Sequence, residues 1–261
     1  MNSIGVCTFA TNEYLEYWEA QLQSWISSKV DLSRIRFHIF TNRDFDAKHL
    51  KEKYCDVEIV IYKIEDLKWP EITALRYKII KRHFNNIIED ILVFIDADML
   101  IVEDISSIFI PKSENFIYLV RHPGYFRGKF LNRLAYFTKR TSFISDLKMF
   151  FKIGGIGAWE TSKLSTAYVP KLLRRRYFCG GFWFGSNNEF KKLVSDLDYQ
   201  TDVDIQSNFG YPIWHDESHL NKWAVKNRGR FRQLDPSYCF DPNYANLKGL
   251  KPRVIAVSKT K

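Results

Sequence analysis

The sequence has few cysteines, and none of them lie close enough along the chain to indicate a shared metal ion. The four residues, Cys7, Cys55, Cys179 and Cys239, are far apart and form no C-x-x-C pair. Zinc sites and disulfide frameworks both depend on closely spaced or recurring cysteines. We therefore expect four free thiols in a reducing compartment, without a zinc site or a disulfide framework.

Long apolar runs, internal repeats and low-complexity tracts are absent as well. No run approaches the roughly 18 apolar residues that a membrane-spanning helix needs. The first residues already have the pattern of an apolar strand, and no basic segment precedes them as it would in a secretory signal peptide. We expect a protein made in the cytoplasm, either soluble or peripheral to a membrane.

Acidic residues are outnumbered by basic ones, 30 to 39, which gives a formal net charge of +9 and a pI near 9.2. Such a surplus attracts polyanions, so a nucleic acid, an anionic membrane face and a nucleotide diphosphate all suit the charge. No nucleic-acid-binding motif is present, and we expect no nucleic-acid partner. Aromatic residues are abundant, at 16%, which suits both a core and a site for rings or sugars.

Apolar runs of strand length alternate with segments of helical periodicity. The pattern predicts strands at 4–10, 36–41, 57–64, 91–95 and 116–120, helices at 12–27, 74–83, 188–197 and 217–225, and irregular structure from residue 231. This alternation is typical of an α/β protein with a mostly parallel sheet covered on both faces. Ligands of such sheets bind at the carboxyl ends of strands, which makes the residues after 4–10 and 91–95 the first candidates for a site.

Two acids follow the strand predicted at 91–95. Asp96 and Asp98 stand on either side of the small residue Ala97. Two ionised carboxylates at the end of a buried strand repel each other unless a cation lies between them, and a divalent ion held jointly with phosphate oxygens meets that need. The pair therefore indicates a metal site, although turns and helix caps use the same residues.

The segment from Trp214 to Trp223 concentrates acids, histidines, an amide and a lysine between two tryptophans. If its second half is helical, Leu220 and Trp223 form part of an apolar stripe, and Asp216 and Glu217 project from the amino-terminal end. Unpaired N–H groups and partial positive charge at that end favour ionised carboxylates. The segment predicts a catalytic centre, and a plain capping cluster on a surface helix is the alternative.

Residues 126–157 differ in composition from the rest of the chain. Basic residues interleave there with aromatic and aliphatic ones at near-helical spacing, and Asp146 is the single acid. The pattern indicates either a helical flap docked on its own domain or a helix in peripheral contact with an anionic membrane. Glycines at 154, 155 and 157 end the stretch with a predicted hinge.

Taken together, several segments resemble the ABO blood-group and α1,3-galactosyltransferase family of retaining glycosyltransferases, glycosyltransferase family 6. They occur in that family's order: 4–11 with Tyr14, Trp69 with Arg76, 96–99, 167–170 followed by 177–181, and 214–222. The resemblance covers residues 4–125 and 158–261 and leaves the insert unmatched. The chain looks like a bacterial or viral member that consists of the catalytic domain alone.

The resemblance implies a GT-A fold, which is a Rossmann-like mixed α/β sheet flanked by helices. It implies a single catalytic domain over 1–261, with a nucleotide-sugar-binding part at 1–125, the insert at 126–157 and an acceptor and catalytic part at 158–261. The implied reaction moves GalNAc or Gal from UDP-GalNAc or UDP-Gal, with retention, to a galactose-containing oligosaccharide or glycolipid in α1,3 linkage.

The resemblance also implies which residues bind the donor: Phe9, Ala10, Thr11, Tyr14, Asp96, Ala97, Cys179, Gly180, Gly181, Lys259 and Lys261. Within this set, Asp96 would act with Asp98 to hold Mn²⁺, or Mg²⁺, against the diphosphate, and a tail lysine would assist the departing UDP. Gly181 leaves room for an acetamido group at C2 of the sugar. We therefore expect UDP-GalNAc in preference to UDP-Gal.

Catalysis is implied for Glu217, Asp216 and Arg76. Glu217 would lie beneath the anomeric carbon, where a carboxylate either forms a covalent glycosyl-enzyme or stabilises an oxocarbenium-like ion. Asp216 and Arg76 would hydrogen-bond the donor hydroxyls, and His122 and Trp214 would contact the acceptor. The alternatives are an inverting GT-A transferase with one of the acids as general base, and a non-catalytic module that binds a polyanion or a membrane.

Overall fold

A seven-stranded sheet with helices on both faces forms the centre of the molecule. The computed structural model describes residues 2–44, 53–110, 113–126, 157–244, 247 and 249–257. The strands are β1 Ile4–Phe9, β2 Ile35–Thr41, β3 Glu58–Lys63, β4 Ile91–Ile95, β5 Met99–Ile101, β6 Ile117–Arg121, β7 Phe178–Ser186, β8 Arg232–Leu234 and β9 Val254–Ala256. The α-helices are α1 Tyr14–Ile26, α2 Glu71–Ala74, α3 Arg76–Arg82, α4 Asn187–Gln206 and α5 His215–Lys226.

The strands of this sheet lie in the order β3-β2-β1-β4-β7-β6-β8. The first four run parallel, and β7 is antiparallel to both of its neighbours, β4 and β6. A separate antiparallel pair, β5 with β9, anchors the end of the described chain beside the residues that follow β4. The prediction of a mixed, mostly parallel α/β sheet is confirmed.

Each face of the sheet buries its own hydrophobic cluster. Trp18, Leu22 and Trp25 of α1 pack on one face, and Phe190 and Leu193 of α4 pack on the other, all fully buried. Full burial of a large apolar side chain stabilises the fold by about 1.5–3 kcal/mol. The helical periodicity of 12–27 thus arises because one face of α1 covers the sheet.

Several boundaries and one region differ from the sequence-based prediction. The predicted helix at 74–83 is two short helices that meet at Leu75, and α4 extends well beyond 197 because its later turns bury Thr201 and Asp204. The prediction of irregular structure after residue 231 was wrong, since β8 and β9 lie there. Both are three-residue strands, too short to show an alternating pattern.

The sheet topology brings the predicted site residues together. Because β1 and β4 are parallel neighbours, the segments that follow Phe9 and Ile95 leave the same edge of the sheet. β7, which is paired with β4 in the opposite direction, begins at this edge, so its first residues face the acids that follow Ile95. No helix in the described ranges is long and apolar enough to cross a membrane.

Candidate active site

The turn after β4 is fixed by the neighbouring strand β7 and by helix α1. The N–H of Asp96 donates to the carbonyl of Gly181 at 2.8 Å, and Met99 N–H donates to the Asp96 carbonyl at 3.1 Å. Gln21, fully buried in α1, donates its amide to the carbonyls of Asp96 at 2.6 Å and Met99 at 3.1 Å. These bonds hold the Asp96–Asp98 turn in place before any ligand binds, and sequence reasoning did not identify Gln21.

Arg76 joins Asp96, the acid that follows β4, to Asp216 of α5. Its Nη1 lies 3.1 Å from Asp96 Oδ1 and 3.2 Å from Asp216 Oδ2, and its guanidinium stacks over the Phe94 ring at 4.9 Å. Burial disfavours the charged guanidinium, but the adjacent carboxylates of Asp216 and Asp96 outweigh that effect and raise the pKa of Arg76. Burial itself raises the pKa of Asp216 to about 6.

Glu217 occupies the first turn of α5, opposite the start of β7. Its Oε2 accepts a hydrogen bond of 2.8 Å from the backbone N–H of Gly180. Burial raises the pKa of Glu217 to about 8, against the lowering effect of this hydrogen bond. A carboxyl group held this way changes its charge near neutral pH, and a neighbouring positive charge would favour the ionised form.

The two glycines at the start of β7 are where the acids approach the strand most closely. A Cβ atom at Gly180 would lie 3.2 Å from Asp216 Oδ2, and one at Gly181 would lie 2.9 Å from Asp96 Oδ2. The sequence indicates a close approach to the backbone at these glycines, and in the structure the acids make that approach. The preceding residue, Cys179, is buried in the hydrophobic core.

A cavity of about 460 Å³ opens beside Asp96. Its lining includes residues predicted to bind the donor (Phe9, Thr11, Tyr14, Asp96 and Ala97), to hold the metal ion with Asp96 (Asp98) and to hydrogen-bond the donor hydroxyls (Arg76). Ala10 is fully buried between two of these residues. A wider cavity, of about 660 Å³, is lined by Asn2, Glu89 and other residues that include none of the predicted site. Asp96, Asp98 and Arg76 meet at the smaller of these two cavities, which makes it the candidate site.

The two residues predicted to contact the acceptor, Trp214 and His122, differ in their surroundings. Trp214 is 51% exposed, and its position immediately before α5 leaves the indole open to a ligand. His122 follows β6, and burial lowers its pKa to about 4, so the imidazole is neutral at physiological pH. The His122 ring lies 5.8 Å from the ring of Tyr177.

Tyr177 is a further group beside Glu217 that sequence reasoning did not assign to the site. Its hydroxyl donates to the carbonyl of Ala158 at 3.1 Å. Burial, followed by the nearby Glu217 carboxyl, raises the pKa of Tyr177. The only sequence signal was its place at the start of the segment 177–181.

Other predicted residues lie outside the described part of the chain. These are Lys259, Lys261 and the insert apart from its ends, Phe126 and Gly157. Among the described residues, no group of three or more His, Cys, Asp or Glu side chains could hold a metal ion. A cation at the Asp96–Asp98 turn would therefore take at most two carboxylates from the described residues and complete its shell with ligand and water oxygens.

The chain is similar to known glycosyltransferases. The model of "Glycosyltransferase family 6" matches residues 149–261. Over 263 residues the chain is 24% identical to the Histo-blood group ABO system transferase 1 of Rattus norvegicus, with 98% of this chain and 67% of that protein covered. It is 25% identical over 268 residues to the Histo-blood group ABO system transferase 2 of Rattus norvegicus, and the match covers 98% of this chain and 70% of that protein. It is 24% identical over 253 residues to the O-antigen biosynthesis glycosyltransferase WbnI of Escherichia coli, and the match covers 95% of this chain and 92% of that protein.

Proposed function

This chain belongs to glycosyltransferase family 6, and from that membership we propose that it is a retaining, UDP-dependent hexosyltransferase. It is a glycosyltransferase with the GT-A fold. The proposed reaction moves GalNAc, or Gal, from the UDP-sugar to a galactose-containing oligosaccharide or glycolipid in α1,3 linkage. The observation that carries the proposal is the contact of Arg76 with Asp96 and with Asp216, at 3.1 and 3.2 Å.

That contact supports the proposal because it unites two predicted groups from distant parts of the sequence. Asp96 belongs to the proposed diphosphate site, and Asp216 precedes the proposed catalytic Glu217. One guanidinium contacts both acids, so the proposed diphosphate site and the proposed sugar site lie next to each other. A capping cluster at the start of a surface helix would have no reason to bury Arg76 to 7% exposure.

The donor would lie in the cavity at the carboxyl ends of β1 and β4. Phe9, Ala10 and Thr11 would contact uracil, with Tyr14 beside the ring. Tyr14 also packs against the hydrophobic core, so the residue serves the helix and lines the cavity at once. Sheets of this kind bind nucleotides at such an edge.

A divalent cation suits the residues at the Asp96–Asp98 turn. Both acids line the donor cavity, and carboxylate oxygens are the hard ligands that Mn²⁺ and Mg²⁺ accept. When bound with the diphosphate, the ion would neutralise charge on the departing UDP. We propose the same auxiliary role for Lys259 or Lys261 in the tail.

Glu217 would stabilise the positive charge that develops at the anomeric carbon. The Gly180 N–H fixes one of its carboxylate oxygens and so restricts the orientation of the carboxylate that would face the sugar. Asp216 and Arg76 would hydrogen-bond the donor hydroxyls, and their mutual contact restricts both side chains. Whether Glu217 attacks the sugar or acts through charge alone, retention follows if the acceptor arrives on the face from which UDP departs.

The acceptor would contact His122 and Trp214. An exposed indole can stack on the apolar C–H face of a galactose ring. The neutral His122 ring can exchange hydrogen bonds with a sugar hydroxyl, although its Nδ1 already accepts one from Gly124 N–H at 3.1 Å. The relatives named above include a histo-blood group ABO system transferase and an O-antigen biosynthesis glycosyltransferase, and these names support a carbohydrate acceptor for this chain.

The test is transfer to a panel of galactosides and fucosyl-galactosides with UDP-GalNAc and UDP-Gal as donors. We expect an α-linked product from the α-linked donor, identified by NMR of the new anomeric proton. A β-linked product would mean an inverting transferase that uses Asp216 or Glu217 as a general base. No transfer from either UDP-sugar would contradict the proposed donor class.

A further inference from the structure

A second surface of the molecule carries a concentrated positive charge. Two segments, 171–176 and 226–232, contribute the eight cations of what we call the basic face: Lys171, Arg174, Arg175, Arg176, Lys226, Arg228, Arg230 and Arg232. Neither segment contains an acid. A hydrogen bond from Arg228 to the Leu173 carbonyl joins them, and residues of both line a groove of about 280 Å³. The two segments therefore form one continuous surface.

The charge of the basic face is not neutralised within the described residues. None of the eight cations of the basic face takes part in the ion pairs found among the described residues. Lysines elsewhere do have partners: Lys53 pairs with Glu19 at 2.9 Å, and Lys251 pairs with Glu103 at 2.6 Å. Crowding like charges without counter-charges opposes folding, so an external anion would relieve the repulsion.

The positive field extends beneath this surface to Arg121 at the end of β6. Burial, followed by the charge of Arg176, lowers the pKa of Arg121 to about 10. Its Nε is buried without a hydrogen-bond partner among the described groups. Arg121 therefore adds its positive charge to that of Arg176 near this surface.

Exposed leucines accompany the cations. Leu172 is 79% exposed and Leu173 is 44% exposed, and both lie between Lys171 and Arg174. Large apolar side chains inside a ring of cations are typical of proteins that lie on a bilayer, where the chains enter the headgroup region while the cations meet lipid phosphates. A surface for single-stranded nucleic acid would instead present exposed aromatic rings for base stacking.

We propose that the basic face docks on a bilayer rich in anionic phospholipids, with Leu172 and Leu173 in the headgroup layer. The face lies close to the proposed active site. Phe178 lines its groove and stands two residues before Gly180, and Ala224, which also lines the groove, follows Glu217 by seven positions along α5, a rise of about 10 Å. If the proposed function holds, this orientation suits a lipid-linked acceptor, but the docking itself does not depend on the reaction.

Co-sedimentation with vesicles tests the proposal. The face variant changes Lys171, Arg175, Lys226 and Arg230 to Gln, and the matched control changes Lys53, Lys63, Lys192 and Lys251, which are exposed and paired with acids. The two variants lose equal charge. On vesicles of equal parts phosphatidylcholine and phosphatidylglycerol, we expect the face variant to bind at least about tenfold more weakly and the control to stay within about twofold of the parent.

The remaining arms separate the other outcomes. Neutral phosphatidylcholine vesicles should bind poorly, and Leu172→Ser with Leu173→Ser should weaken binding while leaving its salt dependence unchanged. Equal loss in face variant and control would reduce the effect to net charge, and no loss in the face variant would assign any binding to another region. Tighter binding to a single-stranded RNA than to the anionic vesicles would also overturn the proposal. Parent-like thermal unfolding and UDP binding of the face variant verify that it is folded.

Discussion

The backbone N–H of Gly180 lies 2.8 Å from Oε2 of Glu217. This hydrogen bond links the start of β7 to the first turn of α5 and fixes the rotamer of the proposed catalytic acid. The bond requires a close approach, since a Cβ at Gly180 would lie 3.4 Å from Glu217 Cβ and 3.2 Å from Asp216 Oδ2. The glycine pair Gly180–Gly181 and the acid pair Asp216–Glu217 therefore form one structural unit.

Donor selectivity should depend on Gly181. In Gly181→Ala the new methyl group would lie 2.9 Å from Asp96 Oδ2 and 3.1 Å from Met99 Sδ, which removes space beside the proposed sugar site. We expect the ratio of kcat/KM for UDP-GalNAc to that for UDP-Gal to fall by about tenfold or more, because the larger C2 substituent is excluded first. An unchanged ratio, with both donors affected equally, would show that Gly181 does not face C2.

Arg76 should be needed for both activity and stability. Arg76→Met leaves Asp96 and Asp216 without their shared cation. Removing one partner of a buried ion pair destabilises the folded state because the remaining charge is left without compensation. Because the Asp96 side chain is 37% exposed, we expect a loss of about 1–3 kcal/mol in the free energy of unfolding, together with a large fall in kcat. The control is Arg82→Met at the exposed end of the same helix, and an equal effect there would contradict a specific role for Arg76.

The metal proposal is tested at the Asp96–Asp98 turn. Asp98→Asn should abolish activation by Mn²⁺ and weaken the affinity for UDP measured by calorimetry in the presence of the ion. In the absence of metal, the affinity for UDP should change little. Full activity of the parent protein in excess chelator would contradict the metal assignment and leave the tail lysines to neutralise the leaving group.

The stability of the protein should depend on pH through Glu217, whose pKa is raised to about 8. Between about pH 4.5 and 8, the folded state retains a proton that the unfolded chain has released, so the free energy of unfolding falls as pH rises. Glu217→Gln removes this dependence. Without UDP and metal, we expect the Tm advantage of Glu217→Gln over the parent to be larger at pH 8 than at pH 5, with each kcal/mol worth about 2–4 °C.

The pKa of Asp216 is raised as well, and since both proteins retain Asp216, its contribution should largely cancel in that comparison. The exposed Glu65→Gln variant serves as the control and should show no such difference. The same Tm difference at both pH values for Glu217→Gln would contradict the raised pKa.

The sequence predicted those features that leave a local pattern. The strand Ile91–Ile95 was predicted with its exact bounds because it is a continuous apolar run that ends at an acid. β7 was not predicted as a strand, because Gly180, Gly181 and Gly185 interrupt its apolar residues. Its place between β4 and β6 depends on long-range pairing that no local pattern records.

The same limit applies to the site. Asp96, Asp216 and Glu217 stood out as charged residues next to apolar segments, and their order along the chain indicated the family. Gln21 fixes the turn after β4 through two backbone carbonyls, yet in the sequence it looks like any polar residue of an amphipathic helix. Its role comes from burial, which becomes visible only when α1 is packed on the sheet.

The central claim is that Glu217 acts on the sugar and not on the nucleotide. The direct measurement pairs the transfer rate of Glu217→Ala with its affinity for UDP, determined by calorimetry under the same conditions. We predict that kcat falls by at least about a hundredfold while the Kd for UDP stays within about threefold of the parent value. Transfer at a rate near that of the parent, or loss of UDP binding in parallel with transfer, would contradict this account of the site.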